Sequence, residues 1–431
     1  MSLRSLRALC LTSFFIADVR DGLGPFLGIF LTQRHWQAED IGLLMSVGGI
    51  AGLLATLPAG FITDSSRHKR LLLAGVCLVI TLTTLLLWFS QKTSVVALSQ
   101  VASGICAAFV GPLIAGITLG LARQRGFSAQ MGKNEAFNHA GNFFTALMAG
   151  AIAWYWGIGG IFILIACTTL LTLVALLAIR GGDIDDDAAR GIEAASTPSL
   201  PGFAILFRHT PLLIAGVTLM LFHLANAALL PMLSMRIAAA PGHLNPGLFA
   251  AATVIISQVV MIPVAIRVAG SIDKYGYWRC ILLALLIMPI RAALAASSDA
   301  PAMMVPVQIL DGLAAGILGV AVPSFIVSLL RGSGHVNAGQ SVVMLMQGAG
   351  AAMSPALTGS IAGHYSYATA FGVLSVIAIV ALMVWWRSAP LLTVTASRRE
   401  RAVTYGTATW GERKSPAGQQ PPAARLTCEW R

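Results

Sequence analysis

Charge is scarce in this chain. Only 10% of its 431 residues are Asp, Glu, Lys or Arg, where a soluble domain carries about 25%. So few charges cannot cover a water-facing surface, which excludes a soluble globular protein. Cysteine is sparse and scattered: Cys10, Cys77, Cys106, Cys167, Cys280 and Cys428 stand singly. With no CxxC spacing, neither a disulfide framework nor a metal site is expected. Small buried thiols are the expected use. The chain also lacks a phosphate-binding P-loop and a nucleophile elbow. Direct ATP drive and enzyme chemistry are therefore not expected, and no cofactor is implied.

What is present is apolar sequence. The chain is 57% hydrophobic, in stretches that approach the ~20 residues a helix needs to cross hydrocarbon. Twelve spans are predicted, at roughly 8–32, 40–62, 70–90, 94–121, 134–157, 158–180, 211–236, 246–270, 279–298, 302–330, 338–363 and 367–387. The basic start MSLRSLRALCLT runs into the first of them without a small-residue cleavage site, so a retained helix is expected rather than a signal peptide.

Lys and Arg are enriched in cytoplasmic loops. With the N-terminus inside, the inside receives Arg4, Arg7, Arg67, Lys69, Arg70, Arg123, Arg125, Lys133, Arg180, Arg208, Arg267, Lys274, Arg279, Arg331 and the tail. The outside receives only Arg34, Lys92 and Arg236. Both termini are thus predicted to be cytoplasmic. The net charge of +11 is accounted for by topology, without a nucleic-acid partner.

The chain also repeats itself. Gly60-xxx-Asp64 followed by Arg70 recurs as Ala269-xxx-Asp273 followed by Arg279. Gln100-xxx-Gly104 with Arg123 downstream recurs as Gln308-xxx-Gly312 with Arg331. Asn138, Gly141 and Gly150 recur as Gln347, Gly350 and Gly359, and Asp18 and Asp21 face His223 and Asn226. A duplicated helical bundle is the plan of many transporters, with the site between the halves. The predicted fold is an all-α integral membrane protein, twelve transmembrane helices in two pseudo-symmetric six-helix bundles. The predicted units are an N-terminal bundle at 1–180, a cytoplasmic linker at 181–210, a C-terminal bundle at 211–388 and a disordered cytoplasmic tail at 389–431. The linker is expected to be flexible, with its acidic cluster Asp183, Asp185, Asp186 and Asp187 solvated.

The loops after spans two and eight read LPAGFITDSSRHKR and VAGSIDKYGYWR. Each places an Asp at a helix end beside a short basic loop, where it can pair with a base or cap a neighbouring helix. The pattern resembles the signature loop of the major facilitator superfamily, G-x-x-x-D-(R/K)-x-G-(R)-(R/K). Gly60, Asp64, Lys69 and Arg70 fit in one half, and Asp273, Lys274, Gly276 and Arg279 in the other. The resemblance covers about residues 8–388. It implies two bundles around a central cavity, alternating access by rocking, and these eight residues as a cytoplasmic gate. Two departures stand out. Gln100 occupies the span-four position where many of the superfamily's antiporters carry Arg, which shifts the proton relay onto the acids of span one. Gly111-Pro112 with Gly116 lies in span four, where drug antiporters often carry such a motif in span five.

Ionisable groups inside a membrane normally face a cavity or a partner. Span one carries Asp18, Arg20 and Asp21, with the two acids on one helix face. A carboxylate surrounded by hydrocarbon holds a proton more readily than one in water. The acids therefore suit either a proton carrier or a charge-neutralised pair that orders the span. Span seven answers with His223 and Asn226. Span nine carries Arg291, about twelve residues from Arg279 and too deep to snorkel. Span ten brings Asp311 to a matching depth, so the two either pair structurally or leave Arg291 to bind an anion. Span five has a polar stripe of Asn134, Asn138 and Asn142 alongside Glu135 and His139, expected to line the cavity or an inter-bundle contact. Glu135 is placed near the cytoplasmic end, within reach of Arg123, Arg125 or Lys133. Gln347 and Gln258, single polar partners in other spans, complete the candidate list.

The expected function is secondary active transport of a small molecule by alternating access. Proton-coupled efflux of a drug or metabolite is the first reading, and proton-coupled uptake of a small polar or anionic solute the alternative. A non-transporting receptor is less favoured, because a static protein has no need of two latches. A bacterial cytoplasmic (inner) membrane location and a monomeric state are expected, with protons, a small-molecule substrate and the lipid bilayer as partners.

Overall fold

The computed structural model describes residues 3–392, apart from 22–26, 28–29, 32–33, 37, 158, 193–208, 231, 234–235 and 237–245. The predicted tail beyond 392, the second part of the linker and the Gly22–Pro25 stretch lie outside the described residues. The elements are α1 Leu3–Asp21, α2 Ala38–Ser65, α3 Lys69–Phe89, α4 Thr93–Trp156, α5 Gly159–Ala178, α6 Asp186–Arg190, α7 Thr210–Asn226, α8 Pro246–Tyr275, α9 Tyr277–Ser297, α10 Met304–Leu329, α11 Val336–His364 and α12 Tyr367–Arg387.

The protein is an all-helical membrane protein with two six-helix bundles. Spans four and five both lie in α4, which breaks at Arg123 (φ 52°, ψ 178°). A positive φ is unusual for a residue with a side chain, and it turns the chain between the two arms. Among the described residues, eight helical stretches are long and apolar enough to cross a membrane, the longest being this merged pair at Thr93–Ile152. The charged α1 and the polar α11 supply spans one and eleven, and the shorter apolar helix α7 supplies the described part of span seven. The outward faces are hydrocarbon, with Leu54, Phe89 and Leu177 exposed on three different helices.

The sequence repeat is realised as repeated contacts. Gly104 of α4 meets the backbone oxygen of Gly48 of α2, leaving no room for a Cβ. In the second half Gly312 of α10 sits against α8, where a Cβ would lie 2.7 Å from the Ser257 oxygen. Gly141 packs on the Phe14 carbonyl of α1, and Gly350 packs on the Met220 carbonyl of α7. Small residues thus set the helix spacing in both halves at matching positions. Across the halves, α2 packs on α11 and the second arm of α4 packs on α8.

The linker is only partly as expected. Its first part folds as a 3-10 turn at Gly181–Asp183 followed by α6. Asp185 caps α6 by accepting from the Asp187 and Ala188 amides at 3.1 and 2.9 Å. Asp183 accepts from Ser5 Oγ. Asp185 is used locally because the start of α6 leaves backbone amides without helical partners, while Asp183 ties the turn to α1.

Candidate translocation site and cytoplasmic clamp

Among the described residues, two of the cavities lined from both halves carry the candidate residues. One, of about 460 Å³, is lined by Arg20, Gln100, Ser103 and the α2 glycines Gly48, Gly49 and Gly52. The other, of about 310 Å³, is lined by Glu135, His223, Asn226, Gln340 and Gln347 among apolar walls. Met344 borders both.

The cavity residues follow from helix geometry. Glu135 and His139, one turn apart on α4, stand 3.9 Å from each other. The His139 Nδ1 is 2.8 Å from Gln258 Oε1 on α8, a polar contact across the halves. Glu135 is 21% exposed and lies within electrostatic reach of Arg20. Its carboxylate also packs beside Gly319 of α10. Glu135 therefore does not pair with Arg123, Arg125 or Lys133 at the cytoplasmic end. The helix continues one arm past the Arg123 break and carries it into the cavity. The i, i+4 spacing with His139 was the sequence signal for this placement.

The remaining candidates separate into two groups. Arg20, His223, Asn226 and Gln347 line the cavities, and Asn138 lies half-buried three residues beyond Glu135. Asn142 lies half-buried on the same arm. Asp18 is engaged elsewhere, accepting from Thr168 Oγ1 on α5 at 2.7 Å. Asp21 ends α1, and its side chain lies outside the described residues. Asn134 departs from the expected stripe. It is buried inside the first bundle, bonded to Gln130 and Thr118 at 2.9 Å each.

Arg291 and Asp311 do pair, at 2.9 Å, with Arg291 only 1% exposed. Arg291 also donates to Asn226 Oδ1 and to the Val307 carbonyl at 3.2 Å. Asp311 accepts from Ser257 Oγ at 3.1 Å. A buried cation satisfied on several sides is a structural knot. Asn226 thus joins this pair to the wall of the smaller cavity.

At the cytoplasmic end the two copies of the loop differ. Asp64, 5% exposed, accepts from the Ala338 amide at 2.8 Å and from the Asn337 amide and side chain at 3.3 and 2.8 Å. The carboxylate sits on the N-terminus of α11, where backbone N–H groups lack helical partners and the dipole favours an anion. Gly60, one turn earlier, lets α2 approach: a Cβ there would lie 2.8 Å from the Asn337 oxygen. Lys69 donates to the Ser66 carbonyl at 2.6 Å and Arg70 to the Ile179 carbonyl. In the second copy, Asp273, Lys274, Gly276 and Arg279 are exposed. Gly276 takes φ +80° before α9, and Lys274 lies over its neighbour Tyr275. Of the two clamps, the first is the one engaged here. Its partner Asn337 was missed from sequence because nothing local marks a helix N-terminus as the receptor of an Asp 273 residues away.

A family model described as Major Facilitator Superfamily matches residues 9–290 and 250–423. An uncharacterized MFS-type transporter of Mycobacterium tuberculosis (strain ATCC 25618 / H37Rv) is 36% identical over 380 residues, covering 87% of this chain and 90% of the relative. The multidrug resistance protein MdtG of Erwinia billingiae (strain Eb661) is 22% identical over 175 residues, 40% of this chain and 42% of that protein. Among solved structures, the human organic anion transporter MFSD10 (TETRAN) matches with TM-score 0.68 at 14% identity, covering 89% of this chain and all of that one. At that identity the match speaks to the fold alone.

Proposed function

This chain belongs to the major facilitator superfamily, and we propose that it exports a small molecule across the bacterial cytoplasmic membrane in exchange for protons. Residues 1–180 and 211–388 are the rocking halves of a monomer with both termini inside. The observation that carries the proton coupling is Glu135. It is the carboxylate on the wall of the 310 Å³ cavity, with His139 at 3.9 Å linking it to the opposite half through Gln258. Gaining or losing a proton there changes the charge at a contact that must shift when the halves rock. Intramembrane ionisable groups at such positions mark proton and substrate paths. The likeness to a protein named for multidrug resistance supports the export direction.

Arg20 on the larger cavity favours a second reading, uptake of an anionic solute with protons. Everted membrane vesicles separate the two. Substrate-induced proton release supports exchange, and proton movement in the same direction as solute supports uptake. If folded protein moves neither, both readings fail.

A further inference from the structure

We propose that residues 181–192 form a cytoplasmic strap that ties the two halves together while the cytoplasmic end is closed and must let go for that end to open. The proposal rests on the alternating-access reading above.

The strap holds the first half at four points. Ser5 Oγ donates to Asp183 at 2.5 Å. The Asp185 amide donates to the Gly120 carbonyl at 3.2 Å. The Arg123 guanidinium pairs with Asp185 at 2.7 Å, and Arg190 donates to the Ser65 carbonyl at 3.4 Å. The strap also reaches the second half. Asn337 Nδ2 donates to the Ala189 carbonyl at 2.9 Å, and the Gly332 amide donates to the Gly191 carbonyl.

Asn337 is the junction. The same amide group that bonds Ala189 also bonds Asp64 at 2.8 Å. Strap, α2 and α11 therefore meet on one side chain. A plain tether would need only length, and it would not bond both halves. These contacts exist in full only while the end of α2 lies against the start of α11. Their free energy therefore adds to the closed state and is absent from the open one, which is how a contact biases a two-state element.

The test uses the full-length chain in inside-out vesicles. Ala315, half-buried on the cavity between the halves, becomes the reporter as Ala315→Cys. A membrane-impermeant maleimide is applied from the cytoplasmic face, and peptide mass spectrometry separates the reporter from the native cysteines. A Cβ built on Gly191 lies 3.5 Å from Val336 Cβ, within the range a disulfide spans. Oxidising Gly191→Cys with Val336→Cys should lower reporter labelling at least tenfold, with recovery on reduction. Gly191 is left-handed (φ +81°), so the cysteine there is strained. Asp185→Ala gives the independent arm: it removes the α6 cap and the Arg123 pair, and should raise labelling by roughly threefold to tenfold. Unchanged labelling in the cross-linked protein, or in an Asp185→Ala protein with a normal thermal transition, overturns the strap. Simultaneous labelling of the parent reporter from both faces would instead overturn alternating access itself.

Discussion

Asp64 and Asn337 lie 273 residues apart in sequence and join the two halves of the molecule at the cytoplasmic face. The carboxylate receives both the backbone and the side-chain N–H of Asn337, and the next amide along, Ala338. Hydrogen bonds to a charged acceptor contribute about 1.5–3 kcal/mol. Asp64→Ala is therefore expected to weaken the closed state by an amount in that range. A cycle with Asn337→Ala should show a coupling of about 1–2 kcal/mol in thermal unfolding. Strict additivity of the two substitutions would remove Asp64 from the clamp.

Gly60 sets how closely α2 and α11 approach. A methyl there would lie 2.7 Å from Ser341 Cβ and 2.8 Å from the Asn337 oxygen. Gly60→Ala should destabilise by about 1–3 kcal/mol, as overpacking does. Ser341→Gly in the same chain should recover part of that loss, since it clears the side chain but not the Asn337 carbonyl. Cytoplasmic labelling of a cavity cysteine gives the second readout: Gly60→Ala should raise it. A stable, fully closed Gly60→Val protein would contradict the tight contact.

The legible part of this protein was its repetition. Apolar length marked the spans, and the glycines noted at matched offsets sit at matched contacts, Gly141 on Phe14 and Gly350 on Met220. Matching depth permitted the Arg291–Asp311 pair but left Arg291 equally open to an anion, and the structure shows the pair. What escaped was side-chain direction. Asp18 and Asn134 are polar residues in spans, as a cavity residue would be, yet they turn inward to Thr168 and Gln130 within one bundle. Helical periodicity gives a face but not the neighbour on that face. Glu135 was misplaced for a related reason. Its distance from the cytoplasmic end depends on the break at Arg123, where a non-glycine residue takes a positive φ.

The Arg291–Asp311 pair yields a stability prediction. Arg291→Ala strands a carboxylate beside Ser257 and Gln308, and Asp311→Ala strands a guanidinium that is 1% exposed. Breaking a buried pair from one side costs about 3–5 kcal/mol. Each single variant should therefore express poorly or unfold early. Arg291→Met combined with Asp311→Leu should recover much of the loss, because no charge is left buried. A double variant as unstable as the singles would point instead to a direct role for Arg291 with substrate.

Three acids compete for the proton, and their surroundings separate them. Asp18 is held by Thr168 across α1 and α5, within one half. That contact does not change when the halves rock, and Asp18→Asn keeps an oxygen for the hydroxyl to bond. Its proton flux per substrate in everted vesicles should stay within about twofold of the parent. Glu135 faces the opposite half at Gly319, with His139 bonded across to Gln258. Glu135→Gln keeps the shape and removes the titration, so proton flux should vanish while substrate still exchanges down its own gradient. Asp21→Asn tests the acid nearest the end of α1, and loss of coupling there with Glu135→Gln unaffected would move the carrier to span one. The variant that uncouples without unfolding identifies the carrier. If both leave the stoichiometry intact, protons are not the driving ion.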